Sequence, residues 1–310
     1  MGRQADANAF VPLPVRAGVA PSYLWLPPDV GGQLLPFLVR TFPAVSEASW
    51  RARIARGEVV DGAGRVLAAE SPLRRGMRLW YYREVEEEAA IPFEETILFM
   101  DAHLLVVDKP HFLPMTPGGR FVQQTLLTRL KHTLGETALT PIHRLDRETA
   151  GVVIFSRRAD SRGVYQRLFQ LRAVRKTYEA LAAPMAGRTF PRSFPFTYRS
   201  RMVESGPFFL MREEEGEPNS ETEIDVIGQG IGQAAGRVLY QLKPHTGRKH
   251  QLRVHMAALG APIDNDAFYP VALPCKGDDF SQPLKLLARA IEFTDPLTGE
   301  LRRFASARSL

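Results

Sequence analysis

One carboxylate in this chain has cations close on both sides. Asp146 lies in Pro141-Ile-His-Arg-Leu-Asp-Arg-Glu-Thr-Ala-Gly-Val-Val-Ile-Phe-Ser-Arg157, two residues after Arg144 and next to Arg147. Neighbouring cations favour an ionised carboxylate. Such a group, once positioned, can attack an electrophilic carbon or take a proton. Read alone, the segment is equally an ion-paired surface loop. A second cluster is Lys243-Pro-His-Thr-Gly-Arg-Lys-His-Gln-Leu-Arg-Val-His255, which holds Arg248, Lys249, Arg253 and three histidines. The spacing of His250 and His255 suits a shared metal poorly. Arg253 follows Leu252, an inward position, so it is expected half exposed and in need of an anion, which a distant aspartate could supply. A third segment, Arg175-Lys-Thr-Tyr178-Glu-Ala-Leu, puts a tyrosine on a strand behind two cations. A packed strand tyrosine is its plain reading.

The elements that must position these groups follow from periodicity. Residues 1–29 are rich in Pro, Ala and Gly and read as a tail. Leu34, Leu35, Leu38 and Val39 have helical spacing, with Pro36 tolerable in a first turn. Ser46 can cap a second helix running to Arg56, with Trp50 and Ile54 inward, and Gly57 ends it. Strands are expected at Glu58–Val60 and Arg78–Tyr82. Glu84–Glu95 reads as a linker. Further strands are expected at Ile97–Met100, Leu104–Val107, Gly151–Phe155, Tyr178–Leu181, Val238–Leu242 and Leu284–Phe293. Helices are expected at Phe121–Leu134, around Val164, Leu168 and Leu171, and at His250–Leu259. No regular βαβ rhythm appears, so the class is α+β.

Charge divides the chain. Residues 40–83 hold nine arginines against four acids, a net +5, with Arg51, Arg53 and Arg56 on one short helix. Either a solvated face or a phosphate-contacting surface fits. Residues 204–225 hold eight acids against Arg212, a net −7, and read as an exposed loop facing away from any polyanion. The whole chain of 310 residues carries +6, which favours a nucleic-acid partner. The single cysteine, Cys275, excludes an internal disulfide and multi-cysteine metal sites. No signal peptide, myristoylation signal or membrane-length apolar stretch is read, so the expectation is cytoplasmic. Phosphate-loop, zinc-protease, serine-hydrolase and dinucleotide motifs are missing, and Gly228-Gln-Gly-Ile-Gly-Gln reads as a flexible turn.

Taken together, the motifs resemble RluA-type RNA pseudouridine synthases. His143-Arg-Leu-Asp-Arg-Glu-Thr-Ala-Gly, Lys176-Thr-Tyr-Glu-Ala-Leu and Gly247-Arg-Lys-His-Gln-Leu-Arg-Val-His carry the likeness, after Asp101-Ala-His-Leu-Leu-Val-Val-Asp-Lys-Pro. Residues 30–85 more weakly resemble a small RNA-binding domain of the ribosomal-protein S-four type. The resemblance implies a pseudouridine synthase fold, a mixed and largely antiparallel central sheet with flanking helices, plus a small N-terminal α/β RNA-binding module. It divides the chain into a tail (1–29), that module (30–85), a linker (86–92) and a catalytic domain (93–310).

The resemblance also implies roles. Asp146 would be the nucleophile or base that breaks the glycosidic bond, the uracil then rotating and rejoining through carbon 5. Tyr178 would stack under the flipped base and assist proton transfer, and Arg253 would pair with Asp146 and hold it ionised. Arg144 would enter the RNA stack where the base leaves. Leu286 would close the pocket. Arg147, Arg248, Lys249, Arg51, Arg53 and Arg56 are the further RNA-contact candidates. No metal or cofactor is implied. The partner is RNA, ribosomal before transfer RNA, and the protein is expected to be a monomer without a membrane. Leu287 and Asn265 stand where the family often has His and Gly. Two other readings remain: a catalytically retired RNA-binding or ribosome-assembly factor, and a hydrolase using His143 with Asp146.

Overall fold

The computed structural model describes residues 10–83, 88–185, 193–206, 210–229, 235–273 and 279–310. Cys275, residues 84–87 of the expected linker and most of the glycine-rich turn lie outside these. The described chain falls into two compact units. The first reaches Glu88 and takes in Pro117–Gln123 and Thr128–Thr137; the second holds Ala89–Thr116, Gln124–Leu127 and Ala138–Leu310.

In the first unit, α1 (Leu34–Thr41) and α2 (Glu47–Ala55) pack on a three-stranded antiparallel sheet. Its order is β1 (Ser22–Trp25), β3 (Arg78–Tyr81), β2 (Val59–Asp61). Pro36 sits in the first turn of α1, where its missing N–H costs nothing. Ser46 Oγ accepts the Ser49 N–H at 3.1 Å and caps α2. Gly57 follows at φ +70°, a left-handed conformation that ends the helix. Trp50, Leu34, Leu38 and Leu79 fill the core. The expected tail is corrected here: Ser22–Trp25 is a strand, because Leu24 points into the core while Tyr23 and Trp25 point out.

The second unit is built on one eleven-stranded sheet. Its order is β10 (Met211–Glu214), β9 (Phe196–Glu204), β11 (Ser220–Gln229), β12 (Val238–Pro244), β8 (Arg175–Ala182), β13 (Leu286–Thr294), β7 (Ala150–Ser156), β5 (Leu104–Lys109), β4 (Thr96–Met100). β14 (Leu301–Ala305) pairs with β13, and β6 (Thr140–Pro141) with β7. All pairings are antiparallel except β13 with β7. The mixed α+β architecture is the expected one. β7 and β5 are buried throughout, as their continuous apolar runs require. At Gly151 (φ +114°), a Cβ would lie 2.2 Å from the Ala288 carbonyl oxygen, so only glycine lets β7 approach β13 there.

Three further expectations change. The acidic 204–225 segment is not a loop: it contains β10 and the start of β11. Arg199 pairs with Glu221, Arg201 and Arg212 with Glu214, and Lys243 with Glu223, which offsets the charge. α3 spans only Leu126–Leu134, since the Glu88 carboxylate accepts the Val122 and Gln123 N–H groups and holds a turn ahead of it. α4 (Ala159–Gln170) buries Ser161 and Tyr165, leaving Val164 and Leu171 exposed. Asn265, at the position where the family often has Gly, adopts φ +63°, which Asn tolerates better than other side chains.

Candidate active site

Asp146 lies in the turn that enters β7, where its carbonyl accepts the Thr149 N–H at 3.2 Å. From below, the buried Lys109 at the end of β5 grips this turn. Its Nζ donates to the carbonyls of Pro110 (2.9 Å), Leu113 (2.8 Å) and Arg147 (3.0 Å). Burial pulls this ammonium down to about 7. The Asp146 side chain remains 30% exposed.

The partners of Asp146 come from α5 (Gln251–Ala258). This helix is covered nearly all round, so Arg253 is fully buried and not half exposed as its place after Leu252 suggested. Its Nε and Nη2 donate to Asp266 at 2.8 and 2.6 Å, a bidentate pair. Its Nη1 reaches Asp146 Oδ2 at 3.4 Å. Burial works against the Arg253 charge, yet Asp266 and Asp146 more than offset it and hold the guanidinium above its ordinary value. Asp266 is itself oriented by the N–H groups of Phe268 (2.8 Å) and Tyr269 (3.1 Å). No motif pointed to Asp266. The sequence signal was only that a buried arginine needs an anion.

His250 is the second residue the sequence reading did not assign. It stands at the start of α5 in a left-handed conformation, φ +55°, unusual for a side chain of its size. Its Nε2 lies 3.8 Å from Asp146 Oδ2. Its Nδ1 lies 2.8 Å from Tyr269 Oη, which already accepts the Met211 N–H at 2.9 Å. With the tyrosine proton donated to Nδ1, the ring proton sits on Nε2, toward Asp146. Burial lowers His250 below its ordinary value, partly opposed by the Asp146 charge, so the ring is neutral near pH 7.

Tyr178 is half-buried on β8 against the cluster that holds Leu286, Leu252 and Met256. Burial pushes its hydroxyl up, and the Asp146 charge adds to the push, so the two groups share one environment. The adjoining Lys176 Nζ donates to the Thr246 carbonyl at 3.3 Å, tying β8 to the turn before α5. Asp146, Tyr178, Arg253 and Leu286 thus come together from β8, β13, α5 and the turn before β7.

The remaining candidates separate. Arg144, Arg248 and Lys249 are exposed. Arg147 turns inward instead, donating from Nε to the Phe112 carbonyl at 3.0 Å. In the first unit, Arg53 is buried over the Trp50 ring at 4.8 Å, against its expected place on an RNA-facing surface. It lies on the inner side of α2, three residues from Trp50. Arg51 pairs with Glu47 and Arg56 with Glu58, both at 2.7 Å. His143 is structural. Its Nε2 accepts the Ile154 N–H at 3.1 Å, its ring stacks on Phe169, and burial pulls it down to about 3. Among the described residues no set of three His, Cys, Asp or Glu side chains could hold a metal, and no helix is long and apolar enough to cross a membrane.

Comparison with known proteins gives this chain a family. The family model described as RNA pseudouridylate synthase matches residues 103–258, which include Asp146, Tyr178 and Arg253. The chain is 32% identical over 216 residues to the dual-specificity RNA pseudouridine synthase RluA of Vibrio vulnificus, covering 66% of this chain and 80% of the relative. It is 27% identical over 310 residues to the ribosomal large subunit pseudouridine synthase D of Pseudomonas aeruginosa, covering 91% of this chain and 90% of the relative. The solved structure of human RNA pseudouridylate synthase domain containing 1 shares the fold, with a TM-score of 0.57 at 23% identity over 72% of this chain and 86% of that one. This chain belongs to the RNA pseudouridylate synthase family, whose members are isomerases acting on RNA.

Proposed function

We propose that the chain isomerises uridine in ribosomal RNA, with Asp146 as the catalytic carboxylate. The observation that carries this reading is the setting of Asp146. It is partly open to solvent and backed by Arg253 at 3.4 Å, with His250 at 3.8 Å. In this reading Asp146 acts at the glycosidic carbon or takes the proton whose loss lets the bond break. The freed uracil turns and rejoins through carbon 5. Tyr178 offers its ring to the flipped base and Leu286 an apolar wall. Arg253 and the His250 Nε2–H position the carboxylate. The exposed Arg144, two residues away, fills the gap the base leaves, and Arg248 and Lys249 meet phosphates. The first unit acts as an RNA-binding module of the S-four type.

Ribosomal RNA is favoured over transfer RNA because the likeness to the large-subunit enzyme of Pseudomonas aeruginosa extends over 91% of this chain, and so into the N-terminal unit. A cytoplasmic setting fits the single cysteine. A retired RNA-binding factor would have no need to keep Asp146, Tyr178 and Arg253 together. A hydrolase using His143 as its base is disfavoured, since that ring's Nε2 is taken by a backbone N–H. Conversion of Asp146→Asn is expected to abolish pseudouridine formation in ribosomal RNA from a strain lacking this gene, while RNA affinity stays within about twofold. Retained turnover in that variant would refute the assignment.

A further inference from the structure

The first unit has one sheet face that its helices do not cover. Side chains alternate along strands, so Leu24, Val59, Leu79 and Tyr81 face α1 and α2. Tyr23, Trp25, Val60, Arg78 and Trp80 share the opposite face. The N-terminal segment covers one end of that face: Leu13 packs on Val60, Trp80 and Tyr82, and the Pro14 carbonyl accepts the Tyr82 hydroxyl. The other end is open, with Tyr23 45% and Trp25 55% exposed. The Arg78 guanidinium lies in the middle of it, 4.0 Å from the Tyr23 ring centroid, 4.2 Å from Trp80 and 5.3 Å from Trp25. None of the five residues on this face is acidic. Among the described residues, Arg78 Nε and Trp80 Nε1 are buried without a hydrogen-bond partner.

We infer that this aromatic and arginine face binds a single-stranded stretch of RNA by stacking bases on Trp25 and Tyr23. Several observations favour that occupant. An open sheet face with aromatic rings offers π surfaces that any base can use, and a central cation attracts the phosphates that follow. The exposed Arg74 and Arg75 lie in the turn leading into β3 and add positive charge to its start. The basic helix α2 is a poorer surface. Arg53 is buried, Arg51 is paired with Glu47, and Arg56 and Arg16 both with Glu58. The inference deepens the RNA-contact part of the proposed function, but its test does not pass through catalysis.

The chain's three tryptophans are Trp25, Trp50 and Trp80. Trp50 is 1% and Trp80 4% exposed, and all three lie in the first unit. Trp25 and Trp80 lie on this face and Trp50 in the core behind it, so tryptophan emission reports on the first unit. The full chain is titrated with a short single-stranded oligouridylate and, separately, with inorganic polyphosphate. Saturable quenching by the RNA and not by polyphosphate is expected. The quench should vanish in Trp25→Leu, with affinity for the oligonucleotide at the quenching site about tenfold weaker or more, as loss of one base–aromatic stack implies. Tyr23→Leu serves as the second variant should Trp25→Leu lower the melting temperature. Bound RNA without quenching, equal quenching by polyphosphate, or a dimer in sedimentation that Trp25→Leu dissociates would each overturn the inference. Asp146→Asn should leave the quench intact, so a failed catalytic assignment and a failed binding face give different results.

Discussion

Replacing Asp266 by leucine removes the main partner of a cation that has no access to water. Arg253 and Asp266 side chains are each 1% exposed, and their two hydrogen bonds measure 2.8 and 2.6 Å. Removing one member of such a pair costs about 3–5 kcal/mol, because the other charge stays buried. The Phe268 and Tyr269 N–H groups lose their acceptor as well, each worth about 1 kcal/mol. Asp146, at 3.4 Å, recovers part of this by drawing closer. A net loss of about 4 kcal/mol remains, or roughly 8–16 °C of melting temperature for a unit of this size. Calorimetry on the full chain measures it. In the double variant Arg253→Met with Asp266→Leu no charge is stranded, so its loss should be about 3 kcal/mol smaller than the sum of the singles. A shift below about 2 °C in the single variant, or simple additivity in the double, would refute the view that Asp266 carries the Arg253 charge.

Other outcomes follow from the same geometry. His250→Phe, which offers no N–H to Asp146, should lower kcat by about 10–100-fold with little change in KM, the size expected when the 3.8 Å contact closes to one hydrogen bond with a charged group as the base enters. His250→Gln, which can restore a donor, should recover most of it; equal losses would mean that the imidazole only packs. Lys109→Met leaves the carbonyls of Pro110, Leu113 and Arg147 without their donor, so urea unfolding should show a loss of at least about 3 kcal/mol; a loss under 1 would place the restraint on the Asp146 turn elsewhere. Burial holds His143 down to about 3 and His111 and His255 to about 4, below the ordinary 6.5. The unfolded chain takes up these protons first as pH falls. Stability from these groups is therefore complete above pH ~6.5 and lost below it, near pH 5 at about 1.4 kcal/mol per pH unit for each histidine. Urea midpoints that stay flat from pH 7 to 5 would contradict that burial.

Where hydropathy and packing agree, the sequence was readable. Pro36 in a first turn, Ser46 as a cap and Gly57 as a stop come from local chemistry, and α1 and α2 follow. Buried apolar runs marked β5 and β7. Polar burial hid β11. Its inward positions Ser220, Thr222 and Ile224 include two hydroxyls, and these face His255, with Ser220 Oγ 2.9 Å from Nε2 and Thr222 Oγ1 3.0 Å from Nδ1. A strand that buries hydroxyls against a histidine looks like a loop to any reading that counts apolar residues, and the acids on its outer side strengthened that impression. The site was legible in its motifs, Asp146, Tyr178 and Arg253, but not in the residues joined to them only by folding. Asp266 follows Arg253 after a helix end and a turn, with no motif of its own. Arg53 failed for the opposite reason. A charged residue three positions from a tryptophan looks like surface until the helix shows which side it occupies.

Two anions share one buried arginine unequally, and the inequality bears on the chemistry. Asp266 takes the Nε and Nη2 edge with good geometry and offsets the cost of burying the charge. Asp146 receives only Nη1, at a length where a hydrogen bond is already weak. Had Asp146 taken the bidentate edge, its oxygens would be fixed by the guanidinium and poorly placed to meet a substrate. With Asp266 in that role, Asp146 keeps the electrostatic support of a cation whose burial Asp266 mainly offsets. A carboxylate that must approach carbon or a proton needs such freedom, because groups that accelerate a reaction do so by interactions that improve toward the transition state. The His250 Nε2–H, at 3.8 Å, stands at a similar remove. Contacts that are long in the free enzyme leave room to shorten as the base enters and the charge on Asp146 shifts.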